Sequence, residues 1–180
     1  MFQDGPLRRR PRETIRYGTG RCALGRLLVA TSERGIVGIV IRRSLLALQQ
    51  EIAARFPKAQ LVRDEKGSKP TVARVARYIA APVGPFMLPL DIRGTELQKR
   101  VWDEVRKIPF GETSTYTKIA AAIGMPKAIR AVASSCSRCW LGFAIPCHRV
   151  LHRGASPGSR KGPQYDRVNY EAKLAARRRK

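Results

Sequence analysis

The stretch Ala81-Pro82-Val83-Gly84-Pro85 constrains this chain more than any other. Two prolines and a glycine within five residues interrupt both helices and central strands, so the sequence on either side must fold as a separately patterned piece. Upstream, the β-branched apolar runs Leu27-Leu28-Val29-Ala30 and Ile36-Val37-Gly38-Ile39-Val40-Ile41 flank Ser32-Glu33-Arg34-Gly35, which predicts a hairpin. Leu45, Leu48, Ile52 and Phe56 then recur at helical spacing, and Val72, Val75, Ala76 and Ile79 do so after Pro70. Downstream, the period stays helical. The chain is therefore expected to consist of a flexible, Arg- and Pro-rich arm over 1–13, a small α/β lobe over 14–85 and a helical lobe over 86–180. The last thirty residues, 151–180, form a basic and poorly periodic tail.

Within the helical lobe, Thr95-Glu96-Leu97-Gln98 has the form of a capping box, with Leu97, Val101, Trp102, Val105 and Ile108 as one apolar stripe behind it. A second helix is expected over Thr115 to Ile123, ended by Gly124, and a third starting at once with Pro126 in its first turn. On that third helix Ile129, Val132, Ala133 and Cys136 should be buried, leaving Lys127, Arg130, Ala131, Ser134 and Arg138 on the other face. Two helices joined by so tight a turn, the second with a basic, short-sided outer face, fit a helix-turn-helix entering a DNA groove. An ordinary helical pair with a solvated face fits the pattern too. Charge favours DNA: 36 Lys and Arg against 13 Asp and Glu give +23, which draws a protein to a polyanion. A solvated basic surface or a ribosome-associated protein carries such charge as well.

The four cysteines, Cys22, Cys136, Cys139 and Cys147, lack the spacing of a disulfide framework. The opening residues have no apolar signal core, and no apolar run reaches the roughly 20 residues of a membrane span. Free thiols in a cytoplasmic protein, with no membrane association, are the expectation. Cys136 and Cys139 form a CxxC, but no second CxxC accompanies it and His148 and His152 are the only histidines, so no metal is expected. Cys147 follows the apolar run Leu141 to Ile145 and sits between Pro146 and His148. A thiol with a pKa of about 8.5 needs a base or a positive charge beside it to react near neutral pH, and His148 and Arg149 are residues of those types. In an extended segment adjacent side chains face opposite sides, so His148 would act through a water or a bend. Hydrolysis, group acceptance and an inert buried cysteine all remain open on these residues alone.

Several segments together resemble one family: Leu90-Asp91-Ile92-Arg93-Gly94-Thr95 through Trp102, Ile108-Pro109-Phe110-Gly111-Glu112-Thr113, Tyr116, Pro126 to Ala133, and Ile145-Pro146-Cys147-His148-Arg149-Val150. They are similar to the methylated-DNA–protein-cysteine methyltransferases, and the likeness runs from about Ile15 to Val150. The resemblance implies a ribonuclease H-like α/β lobe followed by a winged-helix-like lobe. It implies that Cys147 irreversibly takes an alkyl group from O-6 of guanine, and more slowly from O-4 of thymine, in double-stranded DNA. It further implies a monomer acting once per molecule without a cofactor, with His148 and Glu171 as the relay behind Cys147. Tyr116 would press on the phosphate backbone, Arg130 would fill the space left by a flipped base, and Ala131 and Ser134, with Lys127 nearby, would lie close to a minor groove. Two positions depart from the pattern. Cys139 stands where an asparagine is usual, and Gly158-Ser159-Arg160-Lys161-Gly162 replaces a loop whose tyrosine, here Ser159, lines the base pocket. Glu171 also lies about three residues closer to the cysteine than usual. A protein that binds alkylated DNA without efficient transfer is the alternative those departures suggest. A thiol hydrolase is a third reading, one that neither the helix-turn-helix nor the charge calls for.

Overall fold

The computed structural model describes residues 13–155 and 163–178. All of the expected 1–13 arm but Glu13, the replaced loop with Ser159 and the last two residues lie outside these.

The predicted hairpin is β2 (Gly25–Ser32) and β3 (Gly35–Arg42), paired antiparallel through a turn at Glu33 and Arg34. Gly35 is required there: its φ is +143°, and a Cβ would meet the Pro89 carbonyl oxygen at 2.6 Å. Two strands escape the sequence pattern. One is β1 (Thr14–Cys22), antiparallel to β2, and the other is β4 (Gln60–Arg63), parallel to β1, giving the order β3-β2-β1-β4. Helix α1 (Leu45–Arg55) buries Leu48 and Ile52 against one sheet face. Helix α2 (Glu65–Ala80) lays Val72, Val75 and Ile79 on the other. It starts well before Pro70, because the Asp64 carboxylate caps it by accepting from the Gly67 amide at 2.8 Å. Pro70 is exposed in its second turn.

The outer edge of β3 joins this layer to the helices. Ile36 exchanges backbone hydrogen bonds with the 89–91 segment, donating to Pro89 and accepting from Asp91, both at 2.9 Å. Further along, the Ile39 amide donates to the Trp140 carbonyl at 2.6 Å. An otherwise open strand edge is thus covered by the chain entering and leaving the helical region. Buried Asp91 reinforces the junction by accepting from Ser32 at 2.7 Å and pairing with Arg34 and Arg93.

Helix α3 (Glu96–Arg106) has the expected reciprocal capping box between Thr95 and Gln98, and buries Val101, Trp102 and Val105. Helix α4 (Tyr116–Ala122) is followed by Gly124 at φ +72°, the left-handed conformation that ends it. Helix α5 (Ile129–Ser137) starts later than its proline suggests. Pro126 and Lys127 instead occupy a turn closed by the Ala128 amide on the Met125 carbonyl at 2.9 Å. The buried face of α5 is also rotated from expectation. Ile129 is 38% exposed while Ser135 is buried, because the Ser135 hydroxyl finds the Ala131 carbonyl and its own carbonyl accepts from the Trp102 indole at 3.0 Å. Two short parallel strands, β5 (Ser114–Thr115) and β6 (Val150–Leu151), and the closing helix α6 (Pro163–Arg178) complete the region. Among the described residues no helix is long and apolar enough to cross a membrane.

Candidate active site

Cys147 opens a single 3-10 turn, Cys147–Arg149, wedged between the loop after α5 and helix α6. The Cys147 amide donates to the Ile145 carbonyl and the Arg149 amide to Pro146, both at 2.8 Å, so the segment is curled rather than extended. The preceding loop holds Phe143 at φ +66°, a left-handed conformation costly for an aromatic residue. Packing explains why it persists: Phe143 is 1% exposed and its ring lies 4.7 Å from that of His148. The strained residue therefore braces the imidazole.

Behind the turn, helix α6 delivers Glu171 to His148 despite the short sequence interval. His148 Nε2 lies 2.9 Å from Glu171 Oε1, and both residues are buried. Arg149, the other neighbour of the cysteine, does not activate it. Its guanidinium turns inward, donating to both Glu171 oxygens at 2.7 and 3.0 Å and to the Ile108 carbonyl at 2.7 Å. Burial opposes ionisation of Glu171, but the His148 and Arg149 hydrogen bonds outweigh it and hold the carboxyl below the usual carboxylate range. An ionised Glu171 accepts from Nε2–H, which leaves Nδ1 as the imidazole's lone-pair nitrogen. Nδ1 is buried with no hydrogen-bond partner among the described residues. Burial, countered by the Glu171 bond, pushes the His148 pKa down, so the ring is neutral at neutral pH.

Three thiols meet on the other side. Cys136 from the end of α5, Cys139 and Cys147 line one cavity of about 240 Å³. Hydrogen bonds with Cys136 and Cys139, together with burial, push the Cys147 thiol well above its ordinary range. Cys139, receiving the hydrogen bond from Cys147, is lowered. The resting nucleophile is thus a protonated thiol; of the two neighbours expected to activate it, His148 is a neutral base held by Glu171, and Arg149 is corrected to a buried partner of that carboxylate.

Tyr116 is buried at the wall of this cavity, its ring edge-on to His152 at 5.1 Å. Lys127, Arg130 and Ser134 are exposed on the turn before α5 and on α5 itself, and Ala131 is half-buried between them. The expected surface residues therefore share a face, while His148 and Glu171 form a separate buried pair beside the half-buried Cys147. Arg149 was expected at the site in another role, and Arg167 was missed. Adjacency to the cysteine drew attention to Arg149 for the opposite role, and no periodic signal marked Arg167.

Fold and site together define a protein with a half-buried thiol next to a buried imidazole–carboxylate pair, and an adjoining helix with an exposed face. The model for the 6-O-methylguanine DNA methyltransferase DNA-binding domain matches residues 96–176. The constitutive methylated-DNA–protein-cysteine methyltransferase of Bacillus subtilis is 35% identical over 144 residues, 78% of this chain and 82% of that protein. The chain belongs to the methylated-DNA–protein-cysteine methyltransferase family. It is also 44% identical over 137 residues to the bifunctional transcriptional activator and DNA repair enzyme Ada of Escherichia coli, covering 76% of this chain but 39% of Ada. For the regulatory protein Ada of Salmonella typhimurium the covered share is 42%. The chain thus spans about two fifths of the length of these relatives. In three dimensions it is similar to Mycobacterium tuberculosis OGT in complex with DNA, with a TM-score of 0.72, 27% identity and coverage of 91% and 94% of the two chains.

Proposed function

We propose that this protein repairs DNA by moving a methyl or small alkyl group from O-6 of guanine, and more slowly from O-4 of thymine, onto the Cys147 sulfur. The observation that carries this reading is the buried Glu171-His148 pair, with Nδ1 unpartnered, directly beside a thiol that opens onto a cavity. His148 Nδ1 takes the thiol proton, directly or through a solvent molecule, and Glu171 fixes the tautomer and stabilises the imidazolium. The sulfur lone pair attacks the alkyl carbon, the carbon–O-6 bond breaks, and its electron pair stays on the guanine, which is then protonated. The thioether is stable, so each molecule acts once and needs no cofactor.

The target carbon lies within a base stack, so the nucleotide must rotate out at a cost of a few kcal/mol. The exposed face of α5 supports a helix laid against duplex DNA, with Arg130 entering the vacated space and Lys127, Ala131 and Ser134 at the groove wall. Tyr116, at the cavity wall, contacts the rotated nucleotide near its backbone. The strand order β3-β2-β1-β4 and the β5–β6 pair beside α3, α4 and α5 support the ribonuclease H-like and winged-helix-like assignments, with the division at 85/86.

Duplex DNA carrying one O-6-methylguanine with a labelled methyl group tests the reaction. Label is expected on protein, and none on Cys147→Ala. Tight binding of the modified duplex with no labelled protein would favour the reading that the chain only recognises alkylated DNA.

A further inference from the structure

Helix α6 also brings Arg167 to the wall of the Cys147 cavity. Arg167 lies four residues before Glu171, one helical turn away, and so shares its inward face. Its guanidinium lines the cavity with Cys139 and Cys147. Phe143 packs beneath it, the guanidinium carbon 5.9 Å from the ring centroid. Gly142 allows this approach: a Cβ there would sit 3.1 Å from the Arg167 Nη1 atom and 3.1 Å from the Ile39 carbonyl oxygen.

The other cation on the cavity wall, Arg42, is paired with Glu51 at 2.5 Å. Arg167 has no carboxylate within ion-pair distance among the described residues, and burial works against its charge. A half-buried cation with no carboxylate in direct contact, and only Glu51 of the same wall acting on it from farther off, is destabilising, and sites tolerate one where negative charge arrives during function. Negative charge does arrive here. Breaking the carbon–O-6 bond leaves an electron pair on guanine, spread over O-6 and the ring.

We propose that Arg167 is a specificity-determining catalytic residue that donates hydrogen bonds to the O-6/N-7 edge of the guanine held against Cys147. This rests on the alkyl-transfer reading above. Arginine's planar fork matches that edge, where two acceptors stand side by side. In the alkylated base O-6 is a weak ether acceptor. As the bond to carbon breaks it becomes anionic, so the bond from Arg167 strengthens toward the transition state and accelerates the step. A thymine offers O-4 with a carbon-bound methyl beside it and no second acceptor. Arg167 therefore favours guanine over thymine.

The test compares the full chain with Arg167→Met and Arg167→Lys in single-turnover transfer from duplexes bearing one O-6-methylguanine or one O-4-methylthymine. Duplex affinity and thermal unfolding are measured alongside. Arg167→Met is expected to slow guanine repair on the order of 10²-fold. It should lower the guanine-to-thymine rate ratio by about tenfold, with duplex affinity unchanged. Arg167→Lys, keeping charge without the fork, should recover part of the rate and little of the ratio. A guanine rate equal to wild type in Arg167→Met would overturn the proposal. So would equal loss on both substrates, the mark of a structural role. Failure of the unsubstituted chain to modify Cys147 would instead sink the alkyl-transfer reading itself.

Discussion

Cys136, Cys139 and burial hold the Cys147 thiol well above its ordinary range, so reactivity must come from proton removal at the moment of attack rather than from a standing thiolate. His148 can serve because it stays neutral, and it stays neutral because it is buried. Glu171→Gln removes the charge that fixes the imidazole and also leaves the Arg149 guanidinium buried without a counter-ion. Its transfer rate is expected to fall on the order of 10²-fold or more. Unfolding should show a loss of about 3–5 kcal/mol, and wild-type values for both rate and stability would remove Glu171 from the relay. Acid stability follows from the same pair. The unfolded chain protonates histidine near pH 6.5 while folded His148 resists, so stability declines as pH falls below that value. Glu171, with a lowered folded pKa, adds a further loss as pH falls through that lower value. Melting temperatures measured from pH 8 to pH 4 should therefore decline steadily below about pH 6.5; a flat profile would contradict the burial argument.

At the level of elements, what the sequence made legible was whatever local chemistry alone decides. Thr95 and Gln98 announce α3, and Gly124 announces the end of α4. Strand β1 stayed hidden because Gly18 and Gly20 break its pattern, and the fold explains them. Helix α2 crosses β1 so closely that a Cβ on Gly18 would lie 2.5 Å from the Ser68 Cβ, and one on Gly20 would lie 2.6 Å from Val72. The glycines that weaken the local signal are those the packing needs. The cysteine and histidine of the site were readable from their motif. Arg149's inward turn and Arg167's place depend on α6 folding back, which no local pattern encodes. On α5, Arg130→Ala should slow repair of a duplex more than reaction with free O-6-alkylguanine, since only the duplex requires a base to be rotated out. Equal slowing on both would take Arg130 out of that role.

On the proposed function, a very basic chain is coupled to a reaction that must find a rare lesion. A charge of +23 would then supply sequence-independent attraction and rapid encounter with DNA, while the cavity behind α5 would supply discrimination. Duplex affinity should therefore fall steeply with salt, log K declining by about 0.9 per phosphate contacted for each decade in concentration. Transfer from free O-6-alkylguanine, which has no phosphate, should barely change over the same range. Similar salt dependence for both would separate the charge from DNA binding. The β3 edge, holding the 89–91 and 140–141 segments, ties the sheet to the loop that carries Cys147.

Three thiols share the cavity, and in the proposed transfer the alkyl group ends on one of them. The most direct measurement is peptide mapping by mass spectrometry after exposure to an excess of duplex containing O-6-methylguanine. One methyl group per chain on Cys147, with Cys136 and Cys139 unmodified, is the predicted result. Methylation of Cys139 or Cys136 in its place, or an unmodified chain, would contradict it.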